Sequence, residues 1–171
     1  MTIDSDVSVT IQTSWGDILV GLVDGMLGSI DLPHCDTRSL DSFDVKAIQA
    51  RSSDSVDGRI LRRLETFMQA LFSGRPADTI AFIPPAGTDF SQHVWAALCQ
   101  IPCGETRSYG DLARQLGRPG AARAVGRACG ANPLPLVIPC HRVVAASGAL
   151  GGFSCGLAWK KLLLEIEKER K

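Results

Sequence analysis

The chain of 171 residues is long enough for one large domain or two small ones, and its 45% hydrophobic content supports real cores. The formal net charge of zero hides a division: residues 1–57 carry ten acidic and three basic side chains, residues 58–171 eight acidic and fifteen basic. No apolar run approaches the ~18 residues of a membrane span, and the opening Met1-Thr-Ile-Asp-Ser-Asp6 lacks the basic and apolar regions of a secretory signal.

In chain order, Val7-Ser-Val-Thr-Ile11 alternates apolar and polar residues as a half-buried strand does. A turn at Trp15-Gly16-Asp17 and a hairpin signal at Asp24-Gly25 continue it into a three-stranded antiparallel meander ending near Leu32. Residues 33–57 are Asp/Ser-rich and weakly periodic, which predicts a loop with one short helix. Ile60, Leu61, Leu64, Phe67, Met68, Leu71 and Phe72 recur at helical spacing, and Gly74 stops that helix. Pro76, Pro84, Pro85 and Gly87 mark residues 75–88 as a linker. The expected division is an N-terminal α/β module over 1–85 and a C-terminal module over 86–171.

The second module begins with a helix capped by Thr88-Asp89, whose apolar face is Phe90, Val94, Trp95 and Leu98. Ser108 caps a second helix, Tyr109 to Leu116, stopped by Gly117; Pro119 opens a third that runs to about Cys129. Two short helices joined by a Gly-containing turn are a helix-turn-helix pattern, although a plain helix hairpin buried in a core reads the same way. The third helix is built of small residues, Ala121, Ala122, Ala124, Gly126 and Ala128, interrupted by Arg123 and Arg127. Between Phe90 and Arg142 every basic residue is arginine, as in a surface that faces a polyanion. A Gly-rich loop around Phe153 and Ser154 precedes an amphipathic helix from Leu157 to Glu169.

Within Leu136-Val-Ile-Pro-Cys-His-Arg-Val-Val144, a thiol is followed at once by an imidazole and a guanidinium. A free thiol is mostly protonated at neutral pH and needs a base, or nearby positive charge, to become a nucleophile. Adjacent side chains of an extended segment point apart, so His141 reaches Cys140 only through a water or a turn at Pro139. A buried structural cysteine beside a surface His-Arg pair accounts for the same residues. The six cysteines (35, 99, 103, 129, 140 and 155) match no zinc template, and His34-Cys35 lacks partners, so no metal and no cofactor is expected.

Taken together, Phe90-Ser-Gln-His-Val-Trp95, Ile101-Pro-Cys-Gly-Glu-Thr-Arg-Ser-Tyr-Gly-Asp-Leu-Ala113, Ala121-Ala-Arg-Ala-Val-Gly126, Asn132-Pro133, Ile138-Pro-Cys-His-Arg-Val-Val144, Ser147-Gly148 and Gly156-Leu157 resemble the O6-alkylguanine-DNA alkyltransferases, or methylated-DNA–protein-cysteine methyltransferases. The resemblance covers about 80 of the 171 residues, in order and without large gaps. The N-terminal half matches only in layout. The implied fold is α+β: a small ribonuclease H-like α/β module followed by a mostly helical, winged-helix-like helix-turn-helix module.

The resemblance implies a protein that binds double-stranded DNA through the minor groove, rotates O6-alkylguanine (or O4-alkylthymine) out of the stack, and moves the alkyl group irreversibly to its own Cys140. His141 would take the thiol proton through a water, Glu167 would orient the imidazole, and Asn132 would brace the neighbouring turn. Arg123 would fill the gap left in the stack, with Tyr109, Ser108, Ala121, Ala122 and Gly126 completing the DNA face. Tyr109, Cys129, Pro135, Val143, Phe153, Ser154 and Lys160 would form the base pocket, with backbone groups of Cys140 and Val143 bonding the base edge. A monomer is expected, with clustering along DNA left open, in the cytoplasm on the nucleoid or, in a eukaryote, in the nucleus.

The sequence departs from the family at Phe153, often tyrosine in relatives, at Cys129, where some carry a larger apolar residue, and at Cys155, which replaces a glycine. The zinc site of some relatives has no recognisable ligands here, and Cys140 excludes the non-reacting variants that carry tryptophan at that position. Two other classes use the same residues: a Cys-His hydrolase, which would turn over repeatedly, and a helix-turn-helix regulator or damage-binding module, which would not need the thiol.

Overall fold

The computed structural model describes residues 7–36, 43–52, 58–75 and 80–169. The predicted meander is present as β1 (Val7–Thr13), β2 (Gly16–Val23) and β3 (Met26–Asp31), all antiparallel. Its alternation is used as read: Val9, Ile11, Ile18, Val20, Leu22, Leu27 and Ile30 are buried. At the hairpin Asp24 and Gly25 both take positive φ, 50° and 73°, the mirror-image turn whose twist matches the flanking strands.

The sheet has one strand more than the sequence suggests. Gln49–Arg51 (β4) pairs antiparallel with β1, giving the order β3-β2-β1-β4. Gln49-Ala50-Arg51 holds one small apolar residue between two polar ones, too short a run at an edge to show a period. The predicted short helix of this region is a single 3-10 turn over Val45–Ala47, capped by the Asp44 carboxylate; the remainder of that region, at 37–42 and 53–57, lies outside the described residues. Helix α1 (Gly58–Phe72) covers β4, with Glu65 accepting from the Ala50 N–H at 3.2 Å. Gly74, at φ 67°, ends it, and the Arg75 N–H reaches back to the Ala70 carbonyl.

The predicted linker is not free-running. Its described part bonds to the outer edge of β3, through Leu27 N–H to the Ala81 carbonyl at 3.0 Å and Ile83 N–H to the Leu27 carbonyl at 2.8 Å. Pro84 and Pro85, without N–H groups, then end the pairing.

The C-terminal half holds α2 (Asp89–Cys99), a two-residue strand β5 (Arg107–Ser108), α3 (Tyr109–Gln115), α4 (Ala122–Gly130), a second short strand β6 (Val143–Val144) parallel to β5, and α5 (Leu157–Lys168). Helix α3 ends at Gly117, φ 69°, as expected, but α4 begins at Ala122 rather than at Pro119. Residues 118–121 form a turn instead, closed by Ala121 N–H on the Arg118 carbonyl, because Gly120 after the proline offers no helical preference. Trp95 Nε1 donates to the Ala128 carbonyl at 2.9 Å and ties α2 to α4.

One apolar core runs through both halves. Its joint is Trp159 of α5, fully buried against Trp15, Phe43 and Phe72 of the N-terminal half at centroid distances of 4.9, 5.7 and 5.8 Å. Among the described residues no helix is long and apolar enough to cross a membrane.

Candidate active site

Pro139 decides how the thiol is presented. Its φ of −81° and ψ of 62°, with the Cys140 N–H on the Ile138 carbonyl at 2.8 Å, form an inverse γ-turn that leads the apolar turn Leu134–Ile138, closed by the Ile138 N–H on the Leu134 carbonyl, into a 3-10 turn over Cys140–Arg142. Asn132 braces this bend from the preceding turn. Its amide donates to the Ile138 carbonyl at 2.8 Å and to Cys140 Sγ at 3.1 Å, while its oxygen accepts from the Leu134 N–H at 3.0 Å.

Cys140 is 5% exposed and lies on the wall of an open cavity of about 410 Å3. The other walls are Tyr109, Ala122, Arg123, Gly126, Cys129, Gly130 and the loop residues Gly152, Phe153 and Ser154. Burial pushes the Cys140 thiol up to about 11, with the Asn132 hydrogen bond pulling the other way. Burial likewise pushes Cys129 up to about 12. The resting sulfur is therefore a protonated thiol and needs a base at the moment of reaction.

His141 is 1% exposed and does not touch Cys140 directly; its Nε2 lies 2.9 Å from Glu167 Oε1. Burial lowers the imidazole pKa, against the pull of Glu167, so the ring is neutral. A carboxylate only accepts, which places the proton on Nε2 and leaves Nδ1 as the basic nitrogen. Among the described residues Nδ1 is the one buried side-chain nitrogen or oxygen with no hydrogen-bond partner.

Glu167 is anchored from three sides. Arg142 donates to it through Nε and Nη2, at 3.0 and 2.8 Å, and the Gly104 N–H donates at 3.0 Å. Burial alone would raise its pKa, but the hydrogen bonds from His141, Arg142 and Gly104 hold it at about 2. The sequence offers Arg142 as a charge for the thiolate; in the structure the guanidinium belongs to Glu167 and, through Nη1, to the Ile101 carbonyl. Neither that pairing nor the contribution of Gly104 is signalled locally, since the contacts span 25 and 63 residues.

Lys160 has no exposed surface; its Nζ donates to the carbonyls of Val143 at 2.6 Å and Gly152 at 3.1 Å and lies 5.9 Å above the Tyr109 ring. Val143, Pro135 and Lys160 do not line the cavity. The Val143 and Cys140 N–H groups are both engaged, the former on the Cys140 carbonyl, so any bond from this segment to a base edge falls to the second lone pairs of the carbonyls. The Ser108 hydroxyl is likewise committed, accepting from the Asp111 N–H and donating to its carboxylate. Gly151, at φ 70°, lets the loop close on Tyr109, because a Cβ there would sit 3.0 Å from the ring and its hydroxyl.

These shifts set the acid stability. Because the folded imidazole binds a proton less readily than its ordinary value of 6.5, the unfolded chain protonates first and stability falls as pH drops below that value. Glu167 adds a second loss between its ordinary 4.5 and about 2. Urea unfolding at pH 7.5, 5.5 and 3.5 is expected to show declining stability at each step; equal midpoints at 7.5 and 5.5 contradict a neutral buried His141.

Residues 89–169 match the family described as 6-O-methylguanine DNA methyltransferase, DNA binding domain. Methylated-DNA–protein-cysteine methyltransferase of Mycobacterium tuberculosis is 52% identical over 103 residues, 60% of this chain and 62% of that protein, so the match spans about three fifths of the relative's length. The protein of the same name from Methanosarcina mazei is 45% identical over 107 residues, 63% of this chain and 68% of its own. Among solved structures, M. tuberculosis OGT in complex with DNA superposes with a TM-score of 0.76 at 37% identity, covering 94% of this chain and 92% of that one. The shared length and identity, carried by both the reactive segment and the fold, establish that this chain belongs to the methylated-DNA–protein-cysteine methyltransferase family.

Proposed function

We propose that the protein repairs DNA by moving a methyl or larger alkyl group from O6-alkylguanine, or from O4-alkylthymine, to Cys140 Sγ, once per molecule. The observation that carries this reading is a buried thiol opening on a cavity, beside a neutral histidine whose basic Nδ1 is unpartnered and whose other nitrogen is fixed by a carboxylate. His141 Nδ1 takes the thiol proton through a bridging water. The sulfur attacks the alkyl carbon, the carbon–O6 bond breaks with its electron pair going to the base, and the base regains a proton as guanine. The product is a thioether with no activated carbonyl and no good leaving group, so water cannot regenerate the thiol.

In this reading residues 86–171 carry both DNA contact and transfer, and residues 1–85 support them. The α3–α4 unit lies in the minor groove, where Ala121, Ala122 and Gly126 allow close approach of the backbone. The damaged base is flipped into the cavity beside Tyr109, Cys129, Phe153 and Ser154. Arg123, exposed at the rim of the cavity, enters the stack in its place. A monomer suffices, since every named group lies in one chain. Mass spectrometry after mixing with an O6-methylguanine oligonucleotide tests the whole reading: one methyl group on the peptide holding Cys140 is expected, and an unaltered protein overturns it.

Arg123→Ala is expected to slow repair of the oligonucleotide by roughly 10- to 100-fold, since a few kcal/mol of unstacking goes uncompensated, while reaction with free O6-benzylguanine is less affected. Equal losses with both substrates contradict the stacking role.

A further inference from the structure

The loop that walls the cavity and the helix that carries Lys160 and Glu167 are both tied to one short run of the N-terminal half, residues 30–36. At one end of that run the Ile30 N–H donates to the Pro133 carbonyl at 2.8 Å, next to the Asn132 that braces Cys140. At the other end Cys35 sits against the loop on both sides of its backbone. Its N–H donates to the Cys155 carbonyl at 3.0 Å, and its carbonyl accepts from the Ala158 N–H at 3.2 Å. Trp159 Nε1 donates to the Pro33 carbonyl at 2.7 Å.

The N-cap of α5 is Gly156, which has no side chain to cap it. The cap comes from elsewhere: Asp36 Oδ1 accepts the Leu157 N–H at 3.0 Å across 121 residues of sequence. A carboxylate there satisfies one of the unpaired donors of the first turn and lies at the positive end of the helix. Gly156 itself leaves no alternative packing. Its φ is 97°, and a Cβ on it would lie 2.2 Å from the Cys35 carbonyl oxygen.

We propose that Asp36, acting with the Pro33–Cys35 backbone, is a positioning residue for alkyl transfer: it fixes the start of α5, and thereby the Phe153–Ser154 wall, from the N-terminal half. This rests on the transfer reading above, and it supplies the acidic module with a task in the reaction that needs no contact with DNA. Because Asp36 acts on the cavity rather than on the DNA face, its loss affects the free base and the oligonucleotide alike. That separates it from Arg123.

The test uses the full chain and free O6-benzylguanine as probe. Asp36→Ala is expected to lower the maximal rate of Cys140 alkylation about fivefold, the scale of one lost N-cap, with oligonucleotide affinity unchanged. Asp36→Asn, whose amide oxygen accepts the same N–H, is expected to restore the rate. Amide exchange in Asp36→Ala should accelerate over 152–158 and stay as in wild type in β1 and β2. A wild-type rate in Asp36→Ala, a failure of Asn to rescue it, or exchange that rises evenly through the sheet overturns the proposal. Absence of alkylation in the unmodified protein would instead remove the transfer reading on which it stands.

Discussion

Cys140→Ala is expected to end alkyl transfer altogether while leaving binding of DNA containing O6-methylguanine intact. In the proposed function the two properties separate, because Sγ would form the new bond, whereas the residues proposed to meet DNA lie on α3 and α4. The substitution is mild for the fold. It removes one buried sulfur and its bond from Asn132, a loss of about 1 kcal/mol, and the Asn132 amide keeps its second acceptor, the Ile138 carbonyl. Gel-shift affinity together with methyl transfer measured by mass spectrometry checks both halves. Residual transfer in the variant, to Cys129 across the same cavity or to any other thiol, sinks the assignment. Loss of DNA binding would show that the cysteine holds the DNA face together, which the geometry does not suggest. Turnover of an ester or amide by the wild-type protein would favour a hydrolase instead.

Changes at Glu167 are expected to cost stability and reaction together. Every group facing its carboxylate is a donor: His141 Nε2, Arg142 Nε and Nη2, and the Gly104 N–H. Glu167→Ala leaves the Arg142 guanidinium, 16% exposed, without its counter-charge; removing one partner of such a pair costs about 3–5 kcal/mol. Glu167→Gln keeps the shape but turns an amide NH2 against donors, so it rescues only in part. In Glu167→Ala the imidazole loses the acceptor that holds its proton on Nε2, and the alkylation rate is expected to fall on the order of 100-fold. In Glu167→Gln, whose one amide oxygen is shared between His141 and Arg142, it is expected to fall by less. Urea unfolding and the rate with O6-benzylguanine are the two measurements. A variant with normal stability and normal rate would mean that His141 is oriented by something other than this carboxylate.

The reactive segment was legible because its chemistry is contiguous. Ile138, Pro139, Cys140 and His141 are neighbours in sequence and remain neighbours in space, and Pro139 announces the bend that the backbone makes. Glu167 was legible only through resemblance: among Glu165, Glu167 and Glu169 nothing in the helix pattern singles one out, and only tertiary contact buries it. Arg142 and Gly104 show the opposite failure. Both lie inside matched stretches, yet what they bind is set by a helix far along the chain. Strand β4 escaped notice because three residues at a sheet edge, with only Ala50 apolar, are too few to carry a period, and Pro119 suggested a helix start that Gly120 defers. The cap on α5 could not be read at all, since a helix opening on glycine looks uncapped until Asp36 arrives from the other half.

The depth at which Cys140 lies has a consequence if, as proposed, each molecule works only once. A sulfur held as a thiol, with burial pushing its ionisation up to about 11, is a poor target for peroxides and small electrophiles dissolved around the protein. Cys99 and Cys103, on the outside, meet such reagents first. In the proposed function the acceptor would stay dormant, and so stay in stock, until a damaged base filled the space beside it.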